Sequence, residues 1–573
     1  MDGRRAEEAL SLAQVVARRT AGADLAGRAG RYAEPGRLSG SPAEAAVVSR
    51  LGDDLRAAGW SVREGRVRAL TSRPGRALVR VGGTIYPGVA AAFSGPASDR
   101  RGPAAAADRL PPAAWAGRVV VARTSLPTPA LVASAQAAGA AALVCALADA
   151  GPRMLSVSPV QGSPTPWTVG NLTDLPVVVL AGEVAEAFAA RVAEAGAEEG
   201  RGPTVSVTSG VDTRWRDVPV LAADLPAAAA EEAGFVLLGG HTDAWYAGAM
   251  DNAAGLAAMA EVAAALKPEA ARLRRAVRLV AWSGGEDGGH AGAQAYADAH
   301  WEELEGRCGL FLEVDSPGGR GNVDLGRLPA MAETGFLARA AVEQVARQAW
   351  TGSRPGGGAA RSLWAAGVPS ALGRFGQPPG TEATSPGLRH TPGDTVDALD
   401  GQVLARDAAL LGHMAAHAAA LAVEPVDLAA GARAMEAAVA AWEERAQGRV
   451  ELALCRRRAA DLTAACEELM AAAQAAPAPA LARAARAVAH RLVRLGYTAG
   501  GRFEPDPALP LAPLPTLSAV EALVAAPPLS APADLAMVAV ERAVTAVAVT
   551  LREAREVAEG ALASLAGGPG RRR

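Results

Sequence analysis

Five short segments of this 573-residue chain carry side chains that could do chemistry together. The first two are Gly240-His241-Thr242-Asp243 and Met250-Asp251-Asn252. Then come Trp282-Ser283-Gly284-Gly285-Glu286-Asp287-Gly288-Gly289-His290, the run Glu313-Val314-Asp315, and Arg389-His390-Thr391. Imidazoles mixed with carboxylates are ligand types for a hard-to-borderline divalent metal, and the histidines favour zinc. A carboxylate such as Asp251 can bridge two ions, each completed by one histidine and one further acid. Two ions about 3.5–4 Å apart hold a water between them and polarise a carbonyl. Metal binding brings the pKa of that water down toward about 7, yet a neighbouring carboxylate must still take its proton. Taken singly, an H-x-D at a strand end reads as a polar loop, and Asp-Asn before a helix reads as an N-cap. Their conjunction in order, each at a strand end, points to one shared site.

Strand ends need a sheet behind them. Phe235 to Leu238, Val277 to Trp282 and Leu310 to Val314 are continuous apolar runs that predict buried parallel strands with helices between them. Open parallel sheets put their active sites at the C-terminal ends of the strands. Upstream, Ser41-Pro42-Ala43-Glu44 has the form of a helix start, and Val47, Val48, Leu51 and Leu55 follow at helical spacing. From 77 to 208 the texture changes to short β-runs around Val119, Ala142 and Val177, with an alanine helix near 129–138 and loops rich in Gly, Pro and Ser. Beyond 427 strands stop, and long helices are predicted over 428–475, 478–495 and 532–565. The tail from Gly567 reads as a solvated end.

Charge and composition exclude several classes. With 57 Lys+Arg against 60 Asp+Glu the net charge is −3, which argues against a nucleic-acid partner. Lys267 is the only lysine and lies in an L-K-P-E context, so a phosphate-binding P-loop is excluded and Schiff-base chemistry is disfavoured. Cys145, Cys308, Cys455 and Cys466 form no CxxC pair, as expected for a reducing compartment and against zinc held by thiolates. The N-terminal segment lacks an apolar signal core, and no window reads as a membrane span. A cytoplasmic protein with no membrane partner is the expectation.

The motif order resembles the di-zinc exopeptidases of the aminopeptidase, glutamate carboxypeptidase and transferrin receptor type: H-x-D, D-N, E-E, an Asp ending a strand, then a His usually followed by Thr. On that resemblance one zinc takes His241 and Asp315, the other takes His390 and the acid near 286, and Asp251 bridges. Asp243 would orient the His241 imidazole. The implied fold is α/β, a mostly parallel mixed sheet flanked by helices. Its catalytic domain is discontinuous, 1–76 and 209–426, with a β-rich protease-associated insert at 77–208. An all-α domain at 427–573 is where a homodimer contact would form. The implied activity is that of a metal-dependent exopeptidase, most simply an aminopeptidase, acting on a peptide or small amide with two zinc ions or another divalent metal. A catalytically silent receptor-like scaffold, and a carboxypeptidase or amidohydrolase of the same family, are the alternatives.

Two departures from the pattern stand out. The Glu-Glu pair, proton shuttle followed by metal ligand, is not intact. Counting forward from Trp282 puts Gly285 at the shuttle and Glu286 at the metal. Counting back from Gly289-His290-Ala291-Gly292-Ala293, similar to the family's G-L-L-G-S, makes Glu286 the shuttle and general base, with Asp287 at the metal. The second register is preferred, because its downstream match needs no gap. Arg389 stands where several relatives carry an oxyanion-stabilising tyrosine; an arginine there can act as an electrostatic donor or bind a substrate carboxylate. Elsewhere, His413 and His417 have metal-capable i,i+4 spacing but no nearby carboxylate, and read as a packed or surface helix. His290 is expected near the site without being a ligand, Glu313 shares a strand face with Asp315, and Gly356 to Gly358 read as a loop near the entrance.

Overall fold

The computed structural model describes residues 2–22, 24–123, 126–147, 151–199, 202–375 and 388–566; the tail from Gly567 lies outside them. Among the described residues eleven strands share one sheet: β1 Ser61–Val81, β2 Thr84–Ala90, β3 Ala97–Ala106, β4 Val119–Arg123, β5 Ala142–Leu147, β6 Val177–Ala181, β7 Thr204–Leu225, β8 Phe235–His241, β9 Ala276–Trp282, β10 Cys308–Asp315 and β11 Ser370–Arg374. Their spatial order is β1-β2-β6-β5-β4-β3-β7-β9-β8-β10-β11, and β1 also pairs with β7. That extra pairing divides the sheet physically. At Ala77–Val81 against Val205–Ser209 it closes strands β1 to β7 into a barrel. The barrel is filled by Val79, Val119, Val121, Val144, Val178, Val207 and Phe188. The other halves of β1 and β7 run on as an antiparallel ribbon into a second layer, where β7 pairs antiparallel with β9.

In that second layer β9, β8, β10 and β11 are parallel, as the apolar runs predict. Every residue of β8 is buried, because helices cover both faces and both phases of the alternation find apolar partners. Val236, Leu238, Leu279 and Ala281 face Leu256, Met259, Leu410 and Met414 of helices Gly255–Leu266 and Gly401–Ala420. Phe235, Leu237, Val280 and Trp282 face Tyr296, Leu363, Val493 and Tyr497, the last two from helix Pro479–Tyr497. The C-terminal helical region thus lays one helix directly on the sheet. A buried ion network fastens it: Glu424 accepts from Arg486 Nε at 2.7 Å and from Arg275 at 3.2 Å.

The helix expected over 428–475 is two helices, Leu428–Ala446 and Ala453–Ala475. Gln447 and Gly448 both adopt left-handed backbone conformations between them, the usual way a helix stops at glycine. The start at Ser41 is as predicted, with Ser41 Oγ accepting from the Glu44 amide at 3.1 Å. Glu44 does not close the capping box on the cap residue itself. It is fully buried and accepts instead from the Gly40 amide at 2.7 Å and the Thr242 hydroxyl at 2.6 Å, reaching toward the end of β8. Among the described residues no helix is long and apolar enough to cross a membrane.

His413 and His417 are packed inside helix Gly401–Ala420, with His413 against Gln344 at 3.2 Å and the His417 ring edge-on to Phe336. Burial pushes both imidazoles down to about 4. The unfolded chain, with ordinary histidines near 6.5, therefore takes up protons first. Their contribution to stability is complete above about pH 6.5 and is lost as the pH falls toward 4. The urea midpoint should drop between pH 7 and pH 5 by a smaller amount in His417→Gln than in the wild-type protein. Identical pH slopes for the two would remove His417 as a source of the acid sensitivity.

Candidate metal centre

Three neighbouring parallel strands deliver the sequence motifs to one edge. β8 ends on His241, β9 on Trp282 just before the Ser283–Gly289 loop, and β10 on Asp315. The turn Ala249–Ala254, which opens helix Gly255–Leu266, carries Asp251 and Asn252, and the peptide bond between them is cis. Asn252 fastens this turn to β10: its Nδ2 donates to the Val314 carbonyl at 2.8 Å and its Oδ1 accepts from the Ser316 amide at 3.1 Å. Asp394 accepts from the amides of Met250 and Asp251 at 2.7 and 3.2 Å. The fully buried Arg37 donates to the carbonyls of Tyr32, Thr242, Ala247 and Gly248, closing the loop after β8. The barrel also reaches the site. Arg153 donates to the Arg389 carbonyl at 2.7 Å, and the Met154 amide donates to the His390 carbonyl at 3.0 Å.

At the centre lies Asp251, 1% exposed. Its Oδ1 is 2.9 Å from His241 Nε2 and its Oδ2 is 3.1 Å from His390 Nε2. His390 Nε2 is in turn 3.0 Å from Glu286 Oε2. Donor atoms of His241, Asp251 and Glu286 all lie within 4.8 Å of one another, close enough to hold one metal ion. Asp251 Oδ2 and His390 Nε2 are buried and make no aligned hydrogen bond among the described residues, which a cation would supply. Two imidazoles and two carboxylates are also the donor types that zinc takes. A divalent ion therefore fits this group.

Electrostatics follow from the same packing. Burial opposes a charge on His241, but Asp243 and Asp251 outweigh it and hold the imidazolium well above its ordinary pKa. Burial likewise pushes Asp251 up, and Arg389, His241 and His390 overcome it, so the carboxyl sits well below the usual range. Glu286 is raised by burial and by the negative charge of Asp251.

Asp243 works from beneath. Its carbonyl lies 2.9 Å from His241 Nδ1, while its carboxylate accepts the consecutive amides of Gly285 and Glu286, both at 2.8 Å, and the Ser39 hydroxyl at 3.1 Å. This capture decides which residue of the loop faces the centre. Glu286 turns to His390, and Gly285 lies against the His241 ring, where a Cβ would come within 2.6 Å of Cγ. Asp287, one residue on, turns the other way. Its backbone carbonyl accepts from the Ser72 amide at 2.7 Å, and the groups that bear on its side chain are Asp243, Ser39, Arg73 and Arg216. Burial and Asp243 push its carboxyl up to about 7. The geometry thus departs from the register preferred on sequence in one respect: Asp287, placed there at the metal, turns away from the centre, while Glu286 stands at it.

Asp315 and Arg389 stand together at the rim. Arg389 Nε is 2.5 Å from Asp251 Oδ2, and its Nη2 is 3.7 Å from Asp315 Oδ2. Both line a cavity of about 580 Å³ with His290, Glu313, Arg374 and Gly358. Glu313 accepts the Ala359 amide at 2.6 Å and so holds the Gly356–Gly358 loop over the cavity. Burial and Asp315 push its carboxyl up to about 8. Sequence reading did not find the supporting roles of Arg37, Ser39, Arg153 and Asp394. Asp394 does follow Arg389-His390-Thr391 by three residues, whereas nothing in the spacing marks Arg153.

Residues 221–415 match the sequence profile of Peptidase family M28. No curated protein sequence matches the chain. Among solved structures, the peptidase M28 precursor of Shewanella amazonensis is similar over 73% of this chain and 97% of its own, with 20% identity and a TM-score of 0.56. An aminopeptidase from an Aneurinibacillus species aligns over 71% and 96%, with 20% identity and a TM-score of 0.53. A zinc aminopeptidase from Bacillus subtilis aligns over 70% and 94%, again with 20% identity and a TM-score of 0.53. These likenesses establish a shared fold.

The clamp at Asp243 can be broken without changing its size. In Asp243→Asn the amide offers one acceptor and one donor to two N–H groups, so the loop bearing Glu286 slackens. Zinc affinity should fall by roughly 10–100-fold, the usual cost of losing a group that orients a ligand, as read by competition with a chromophoric chelator. Gly285→Ala should destabilise the fold by about 1–3 kcal/mol through overpacking against His241, measured by urea denaturation. Wild-type values for both variants would mean that the loop is held by something other than these contacts.

Proposed function

From the match of residues 221–415 to the sequence profile of peptidase family M28, we propose that this protein is a metal-dependent aminopeptidase of that family, an exopeptidase that removes residues from the free amino end of a peptide. The observation that carries this reading is the meeting of His241, Asp251, Glu286 and His390 at the sheet edge, beside a cavity walled by Glu313 and Asp315. Zinc bound there would polarise the scissile carbonyl and lower the pKa of a bound water. The protein's own groups do the rest. Asp251 supplies negative charge to both imidazoles. Glu286 turns one oxygen to His390, and its Oε1 has no partner among the described residues, which makes it an acceptor for the proton of an attacking water. The Arg389 guanidinium beside Asp251 is a donor for negative charge developing on the carbonyl oxygen. Asp315 and Asp324 in the cavity lining offer partners to the ammonium group of an unblocked peptide, and Arg327 and Arg374 offer partners to a carboxylate. Four buried, unpaired cysteines support a reducing, cytoplasmic setting.

One observation favours a second reading, a catalytically silent scaffold of the same fold. Glycine stands at 285, the shuttle position in the forward count, and has no room for a side chain beside His241. Zinc-loaded protein assayed on paired free and N-acetylated aminoacyl anilides separates the two. Turnover of the free amines alone, lost on chelation and regained with zinc, is the outcome expected of an aminopeptidase. Asp251→Ala should cost about a thousandfold in kcat/KM, since a Lewis acid contributes several kcal/mol. Equal cleavage of blocked substrates would overturn the amino-end specificity, and no cleavage by metal-loaded protein would favour the scaffold.

A further inference from the structure

We infer that the Arg389 guanidinium is the built-in second cation of this site, so that the chain holds one divalent ion where the resemblance implies two. The inference rests on the metal-dependent reading above and concerns the same site.

Geometry gives the first argument. A second ion would have to sit between Asp251 and Asp315, about 2.0–2.2 Å from an oxygen of each. Arg389 already spans that gap, with Nε 2.5 Å from Asp251 Oδ2 and Nη2 3.7 Å from Asp315 Oδ2. Asp315 is further engaged by the Ser316 hydroxyl on Oδ1 at 2.5 Å. It also lies directly beside Arg374 across the β10–β11 pairing.

Charge gives the second. Asp251, Glu286 and Asp315 bring three negative charges to the centre. One divalent ion and one guanidinium balance them. A second divalent ion would leave two uncompensated positive charges in a buried site, a balance unchanged when the Asp243 carboxylate beneath His241 and Arg374 beside Asp315 are both counted, and uncompensated buried charge is strongly disfavoured. Gly285 deepens the deficit, because no acid at that position adds negative charge. Arginine, unlike an ion, cannot dissociate or deprotonate.

Anchoring gives the third. The Arg389 carbonyl is held by Arg153 and that of the next residue by the Met154 amide, both from the barrel. The Arg389 side chain is only 20% exposed, so it is not a surface arginine that has folded inward by chance.

The full chain is dialysed against a zinc-buffered solution, and its metal content is read by mass spectrometry and by calorimetric titration. Wild-type protein should hold one zinc per chain, Arg389→Lys also one, and Arg389→Gln two. Asp315→Asn should keep its single zinc within about threefold of wild-type affinity, whereas Asp251→Asn should lose more than about 100-fold. Two ions on the wild type, or one on Arg389→Gln, would overturn the inference and leave the metallopeptidase reading standing. No zinc on the wild type would overturn both. Should Arg389→Gln fail to fold, the Asp315→Asn comparison decides alone: a loss as large as that of Asp251→Asn would make Asp315 a ligand and end the idea.

Discussion

A single buried carboxylate organises this molecule. Asp251 is withdrawn almost completely from water, and leaving such a charge without compensation would cost several kcal/mol. His241 and the adjacent pair Arg389-His390 close on its two oxygens from two separate segments. Because those segments are far apart in sequence, satisfying one side chain fixes the ends of the loops after β8 and before helix Gly401–Ala420 at the same point. The turn that carries Asp251 is itself held from both sides, by Asn252 on the end of β10 and by Asp394 on its amides. Such a site is preorganised: its donors are in place through hydrogen bonds that do not involve a ligand.

The barrel is part of that preorganisation. It shares β1 and β7 with the second layer through a ribbon of paired residues from Ser61 to Pro74, so it is connected by strand pairing as well as by chain. Arg153 and Met154 then reach across to the backbone of Arg389 and His390. Gln161 donates to the Gly358 carbonyl and the Ser362 hydroxyl, and the Gly162 amide donates to the Gly289 carbonyl. One side of the cavity is thus secured by residues inserted more than two hundred positions upstream of the histidine they support. The C-terminal helices act on the opposite end, where Arg486 and Glu424 bind helix Pro479–Tyr497 to the bottom of the sheet.

What was legible beforehand follows from how local each determinant is. The parallel strands could be read because both faces of β8, β9 and β10 are covered, which leaves continuous apolar runs. The cluster could be read because the strand ends fall where the motifs fall. The orientation of Glu286 against Asp287 could not, since both are acids in a glycine-rich loop with no periodicity. It is set by the Asp243 carboxylate capturing two successive amides of the loop after β9. The helix break at Gln447 was missed for a related reason: alanine-rich sequence on both sides carries strong helix propensity, and a lone Gly448 is a weak local signal. Arg153 shows the limit most plainly, because only the barrel's placement gives that arginine a partner at the site.

A guanidinium and a metal ion are not equivalent cations, and the difference bears on what the site can do. Both neutralise carboxylates, but a guanidinium does so with directed N–H groups and a charge independent of pH and of metal supply. It does not lower the pKa of a water as a bound ion does. Placing Arg389 against Asp251 therefore keeps the anionic centre compensated at all times, while assigning the activation of water to whatever ion the imidazoles and Glu286 hold. It also aims a donor at the cavity in which Asp315, Glu313 and Arg374 meet. The arrangement exchanges some activating power for permanent order, a trade that makes sense where a buried acid cluster must survive folding before any metal arrives.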